Sequence, residues 1–143
     1  MDRQGRVAIP SAFRRKLEDS GDAFVLTFFD NAIAGYPLSA WRSLENQVMS
    51  LPAFSKKARA LSRVLASRAH ESRVDGQGRI LVPPGLRRLA GLDRDVVVIG
   101  AMDRFEIWPA ERWAAFATEA ESLLDSASSE LAFGANAPST SQD

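Results

Sequence analysis

The chain has no cysteine and a single histidine, His70, among its 143 residues. Without cysteine there is no disulfide framework and no thiolate zinc site, a usage that fits a reducing compartment. One histidine leaves little room for nucleophilic catalysis. A Ser-His-Asp arrangement would have to use His70, which lies beside Glu71 in a segment that reads as a strand. Metal ligation by one histidine and scattered carboxylates has no ligand spacing behind it. A phosphate loop of the form G-x-x-x-x-G-K-[ST] is missing as well. These gaps argue against an enzyme, and no cofactor or metal is expected. Long hydrophobic runs are also lacking. The longest, Ala23 to Phe29 and Val96 to Met102, are seven residues each. That is strand length, where a membrane span needs about 20 residues. No secretory h-region follows Met1, and a cytoplasmic protein without a membrane or small-molecule partner is expected.

Charge of one sign is scarce in each half, although the formal net charge is zero. Residues 1–88 hold 15 Lys and Arg against 8 Asp and Glu, a balance of +7; residues 89–143 hold 3 against 10, a balance of −7. A basic half can attract phosphate, and an acidic half can repel it or meet a basic surface.

What the chain does have is a repeat. The stretch Asp2-Arg3-Gln4-Gly5-Arg6-Val7-Ala8-Ile9-Pro10 returns as Asp75-Gly76-Gln77-Gly78-Arg79-Ile80-Leu81-Val82-Pro83. The offset of 73 also joins Arg14-Arg15 to Arg87-Arg88, Asp22 to Asp95 and Asp30 to Asp103; it then becomes 72, matching Tyr36-Pro37 to Trp108-Pro109 and Trp41 to Trp113. So long a match at near-constant spacing signals duplication, and two copies make a pseudo-symmetric pair rather than a solenoid. Each copy reads as a strand, a Gly turn, a short strand ended by proline, a short helix, two strands joined by a turn, and a longer helix. The first long helix carries Leu38, Trp41, Leu44, Val48 and Leu51 on one stripe, and Pro52 ends it. A second helix with Phe54, Ala58, Leu61 and Leu65 on one face and Lys56, Lys57, Arg59 and Arg63 on the other joins the copies. In the second copy Trp113, Phe116, Ala120 and Leu123 form the equivalent stripe. The fold class expected is α+β.

The functional candidates are basic. Arg3 and Arg6 flank the first turn, and Arg73 and Arg79 the second; Arg14, Arg15 and Lys16 follow the first strand, and Arg87 and Arg88 the second. Arginine presents a planar fork that meets phosphate or guanine edges bidentately, and a two-stranded ribbon fits a major groove. Two duplicated turns would offer two such ribbons. A purely structural alternative stands beside this one: Arg6 and Arg79 pair with Asp2 and Asp75 to brace the turns, and the Arg-Arg pairs face solvent. Aromatic residues do not alternate with these basic ones, which disfavours single-strand binding by base stacking.

The paired D-x-x-G-R-x-x-x-P segments, the Tyr36-Pro37 and Trp108-Pro109 helix starts and the basic joining helix together resemble the MraZ family, over roughly residues 1–125. The resemblance implies two tandem swapped-hairpin β domains of the SpoVT/AbrB type, with flanking amphipathic helices. It also implies a ring-like homo-oligomer and a nucleoid-associated transcriptional regulator of double-stranded DNA. Its sites would be short direct repeats in the promoter of the division and cell-wall cluster, often its own operon. The motif arginine that contacts DNA corresponds to Arg6 and, through the repeat, to Arg79. The organisation expected is residues 1–40 as the first AbrB-like domain, 41–68 as a helical linker, 69–112 as the second domain, 113–125 as a helix and 126–143 as a disordered tail. The second copy is preceded by Leu65 to Arg73, while only Met1 precedes Asp2. The first hairpin is therefore expected to lack one arm, through a misassigned start or a truncated sequence. Two other readings stay open: a ring-forming protein scaffold with non-specific DNA affinity, and an antitoxin-like AbrB module.

Overall fold

The repeated motif folds into a strand too short to stand alone, and each copy uses the other to complete it. In this computed structural model, which describes residues 1–18 and 21–140 (side chains as far as Leu131), β1 is Arg6–Ala8 and β5 is Arg79–Leu81. They pair antiparallel as Arg6↔Leu81, Val7↔Ile80 and Ala8↔Arg79, so a pseudo-dyad passes through Val7 and Ile80. Two further backbone bonds repeat across it: Ile9 N donates to Gly78 O at 3.0 Å and Val82 N to Gly5 O at 2.9 Å. The two ribbons expected from sequence are thus one shared ribbon.

The remaining strands form a five-stranded antiparallel sheet in the order β4-β2-β3-β7-β6. Its members are β2 (Ala23–Phe29), β3 (Ala32–Pro37), β4 (His70–Arg73), β6 (Val96–Gly100) and β7 (Phe105–Pro109). The copies meet at β3 and β7, paired as Ile33↔Ile107, Ala34↔Glu106 and Gly35↔Phe105. The sequence suggests β4 as the first arm of a hairpin with β5. Instead β4 crosses to the first copy and pairs with β2, from Ala23↔Arg73 to Leu26↔His70. The reason is local: the Asp75–Arg79 turn closes on itself, and β5 gives its ladder bonds to β1.

Strand pairing also places the lost residue of the repeat. Phe24↔Pro37 corresponds to Val96↔Pro109, and both shifts (96 − 24 and 109 − 37) equal 72. The change of offset therefore lies before β2, not after Asp30 as matching residues suggests. Helix α1 (Ser11–Glu18) has eight residues and its counterpart α4 (Pro84–Ala90) has seven. The β2–β3 connection is the two-residue turn Asp30-Asn31, with φ of 55° and 66°. Asp and Asn are the side chains that tolerate this left-handed backbone.

Residues 1–109 form one compact unit and 110–143 another. The first has one core drawn from both copies: Val7, Ile9, Phe13 and Leu17 with Ile80, Val82, Leu86 and Ala90, closed by Phe24, Leu26, Ile33, Phe105 and Ile107. Phe105 is its plug. Its ring packs edge-on against Phe13 at 5.3 Å and Phe24 at 5.6 Å between centroids. It also covers Gly35 so closely that a Cβ there would run into the ring. Helices α2 (Leu38–Met49) and α3 (Lys56–Arg68) connect the copies. Ser55 caps α3 by accepting the Ala58 N–H, and the buried Thr27 hydroxyl donates to the Leu65 carbonyl, tying α3 to β2. Phe54, assigned to the α3 stripe from spacing, precedes that cap and is 93% exposed.

The second unit is the helix α5, Ala110–Thr140. It continues through the segment from Ser126 that composition suggests is disordered; residues 141–143 lie outside the described residues. Residues 121–131 are all exposed.

Candidate nucleic-acid interface

Each D-x-Q-G-R segment is a turn held by its own aspartate. In the first, Gly5 N donates to Asp2 O at 3.1 Å and Asp2 N to Arg6 O at 3.0 Å. The Asp2 carboxylate then takes both neighbouring amides on Oδ1, from Gln4 at 2.9 Å and Arg6 at 2.8 Å, and the Arg6 Nε on Oδ2 at 2.9 Å. The second turn repeats this. Asp75 Oδ1 accepts from Gln77 N at 2.8 Å and Arg79 N at 2.9 Å, and Oδ2 from Arg79 Nε at 3.2 Å. The Arg6 amide above all, with the Arg6 side chain and the Gln4 amide, holds the Asp2 carboxyl below the usual value of 3.8. The Arg79 amide does the same, first among its partners, for Asp75. Gly5 and Gly78 sit at φ of 87° and 78°, a conformation that costs a side-chain-bearing residue strain and glycine none.

This geometry accommodates both readings of the motif arginines. The aspartates do brace them, through Nε. Alternation along the ribbon does the rest: Val7 and Ile80 are buried, so Arg6, Ala8, Arg79 and Leu81 share the opposite face. The Arg6 and Arg79 side chains keep 36% and 29% of their surface exposed. A guanidinium clamped through Nε has its orientation set in advance for a bidentate partner. Arg79 also stands 3.9 Å from Asp2, linking the two turns.

The other sequence candidates divide. Arg3, Arg15 and Arg88 are exposed, and among the described residues no hydrogen bond or ion pair holds their side chains. Arg3 and Arg88, from different copies, line one open groove of about 580 Å³ together with Arg87, Arg94, Asp2 and Asp93. Arg73 is engaged elsewhere: its Nη1 donates to the Gly21 carbonyl at 2.8 Å, beneath the end of α1. Lys16 donates to the Met102 carbonyl at 3.1 Å and lies over the Phe13 ring. Arg14 and Arg87 are half-buried, each against the glycine of the other copy's turn. Arg94 was missed in the sequence because it lies outside the repeated motif. Its only signal was being one of three basic residues after position 88. No group of three His, Asp or Glu side chains gathers among the described residues to hold a metal, and no described helix is long and apolar enough to cross a membrane.

Comparison with known proteins agrees with this duplicated arrangement. The family model of the MraZ protein, described as antitoxin-like, matches residues 1–64 and again 65–134. The chain is 42% identical over 132 residues to a protein of Natranaerobius thermophilus named transcriptional regulator MraZ, covering 92% of this chain and 90% of that one. It is 44% identical over 126 residues to the protein of the same name from Ligilactobacillus salivarius, covering 87% and 86%. A third, from Caldicellulosiruptor saccharolyticus, is 46% identical over 114 residues, covering 79% and 78%.

Proposed function

The chain belongs to the MraZ family, and from that premise we propose that it is a transcriptional regulator that binds double-stranded DNA through the β1–β5 ribbon. Proteins named transcriptional regulators are its relatives, and the family is not one of enzymes. The observation that carries the reading is the shared ribbon, with Arg6 and Arg79 clamped on its outward face. A ribbon of this kind fits the major groove, and arginine in a fixed orientation reads the O6 and N7 edge of guanine. Arg3, Arg15 and Arg88 supply phosphate contacts, which fix register without reading sequence. The basic half of the chain, +7 over residues 1–88, gives the attraction its sign.

The sites are short direct repeats upstream of the division and cell-wall operon that contains its own gene, in keeping with the resemblance of the motifs. A ring of subunits presents one ribbon per repeat and gains affinity by raising the effective concentration of each successive contact. The protein works in the cytoplasm, on the nucleoid. The test is a titration of the DNA upstream of its gene against a shuffled duplex of equal length, at several salt concentrations. Preference for the upstream sequence is expected, with affinity falling steeply as salt rises. Equal affinity for both duplexes would instead favour a scaffold with non-specific DNA affinity.

A further inference from the structure

We propose that Arg14 and Arg87 are positioning residues, each setting the reading turn of the opposite copy. The inference rests on the DNA-binding reading for its consequence, but its structural half stands without DNA. The observation is reciprocal. A Cβ placed on Gly78 would lie 2.7 Å from Nη1 and 2.9 Å from Cζ of Arg14; one placed on Gly5 would lie 2.7 Å from Cζ and 2.9 Å from Nε and Nη1 of Arg87. A real Cβ does not sit that close, so with one present the guanidinium, the far end of a flexible side chain, would have to move off the turn. Both glycines are buried, so each guanidinium is packed directly on the turn backbone. The left-handed φ is what demands glycine at both positions, and the missing Cβ lets the other copy's guanidinium lie on the turn.

The nitrogens closest to the chain point the same way. Nε of Arg14 and Nε of Arg87 are buried and find no hydrogen-bond partner among the described residues. An arginine serving only a phosphate gains nothing by burying a donor, since burial without a partner is costly. Its neighbours show the alternative: Arg15 and Arg88 stand exposed, one residue along the same helices. A guanidinium is flat and weakly hydrated and can lie on a backbone face, whereas an ammonium is compact and strongly hydrated. The residue after each glycine is the ribbon arginine, Arg6 or Arg79. A plate pressed on the glycine fixes the angle at which that arginine leaves the turn. Since α1 carries Arg14 and the second copy carries Gly78, loss of Arg14 loosens the direction of Arg79; loss of Arg87 loosens that of Arg6.

Substituting charge and shape separately tests this in the full chain. Arg14→Lys keeps the charge and removes the plate; Arg14→Met removes both; Arg15→Gln removes an exposed charge alone. Two readouts are needed: amide hydrogen exchange without DNA, and affinity for the upstream duplex against salt. In Arg14→Lys the Gln77 and Arg79 amides should exchange at least tenfold faster, while those of Gln4 and Arg6 stay as protected as in wild type. Arg14→Lys and Arg14→Met should lose the upstream preference alike, about tenfold or more, whereas only Arg15→Gln should lower the salt slope like a lost phosphate contact, by about 0.9. Rescue of binding by lysine, or a slope reduced by about 0.9 in Arg14→Met, would overturn the proposal. So would unchanged exchange at Gln77 and Arg79. If wild type shows no upstream preference, the DNA reading fails while the exchange result still decides the bracing.

Discussion

Strands β2 and β6 hold equivalent places in the five-stranded sheet, yet β2 is buried from Ala23 through Thr27 while β6 is only half-buried from Val96 to Ile99. The difference lies beside them. β2 is bonded on one edge to β3 and on the other to β4, which comes from the second copy. β6 is bonded to β7, and no strand among the described residues lies on its other edge. The two copies therefore differ in their neighbours along the sheet. The first copy is completed by a strand of the second, and the repeated turns complete each other in the ribbon. The core repeats the lesson, since the dyad sets Phe105 over Gly35 where the matching pair is Ile33 and Ile107.

The largest effect should come from breaking the asymmetric plug. Phe105→Ala removes a fully buried ring that the second copy packs onto the first, and a loss of about 3–5 kcal/mol is expected. Chemical denaturation followed by fluorescence and circular dichroism should show one shifted transition for both copies. Two separated transitions would mean that the halves are independent after all.

A smaller effect sharpens the contrast between the strands. Leu26 is fully buried in β2, and its counterpart Val98 is partly buried in β6. Leu26→Ala should cost about 2–5 kcal/mol. Val98→Ala should cost about 1 kcal/mol, since fewer carbon atoms leave a less buried site. Hydrogen exchange should agree, with β2 amides protected more strongly than β6 amides.

The smallest effect separates the two turns. Asp2 and Asp75 both have carboxyls held below the ordinary value in the folded chain. A depressed folded pKa means that each stabilises the fold above its unfolded value, and that this contribution is lost as pH falls through the lower folded value. Thermal melts of Asp2→Asn and Asp75→Asn should thus show a modest loss at pH 7 and a shallower acid limb below about pH 4. Because Asp2 also stands 3.9 Å from Arg79, Asp2→Asn should increase amide exchange in both turns, and Asp75→Asn only in its own.

Much of this was legible because it is local. The Gly-Arg turns, the prolines ending β1 and β5, the Asp30-Asn31 turn and the start of α2 at Pro37 each follow from a few adjacent residues. The pairing of β4 with β2 was not, because four exposed or half-exposed polar residues, His70 to Arg73, carry no pattern that selects a partner strand. The position of the lost residue was obscured in the same way: Asp30 matches Asp103 in letters, whereas sheet register sets it against Met102, whose φ is 65°. In the candidate interface, residue type identified the arginines and left their directions open. Adjacent helix positions differ by about 100°, so Arg14-Arg15 and Arg87-Arg88 each turn one member toward a glycine and one to solvent. That distinction depends on a contact between copies 64 residues apart, from Arg14 to Gly78.

The central claim is that the two turns act together as one DNA-reading ribbon, and the most direct measurement is the affinity of the Arg6→Ala, Arg79→Ala double variant for the upstream duplex. Each lost bidentate contact is worth about 1–3 kcal/mol of discrimination, so the variant should bind the upstream duplex no better than a shuffled one while its melting curve shows a folded protein. Binding as tight and as selective as wild type would contradict the account.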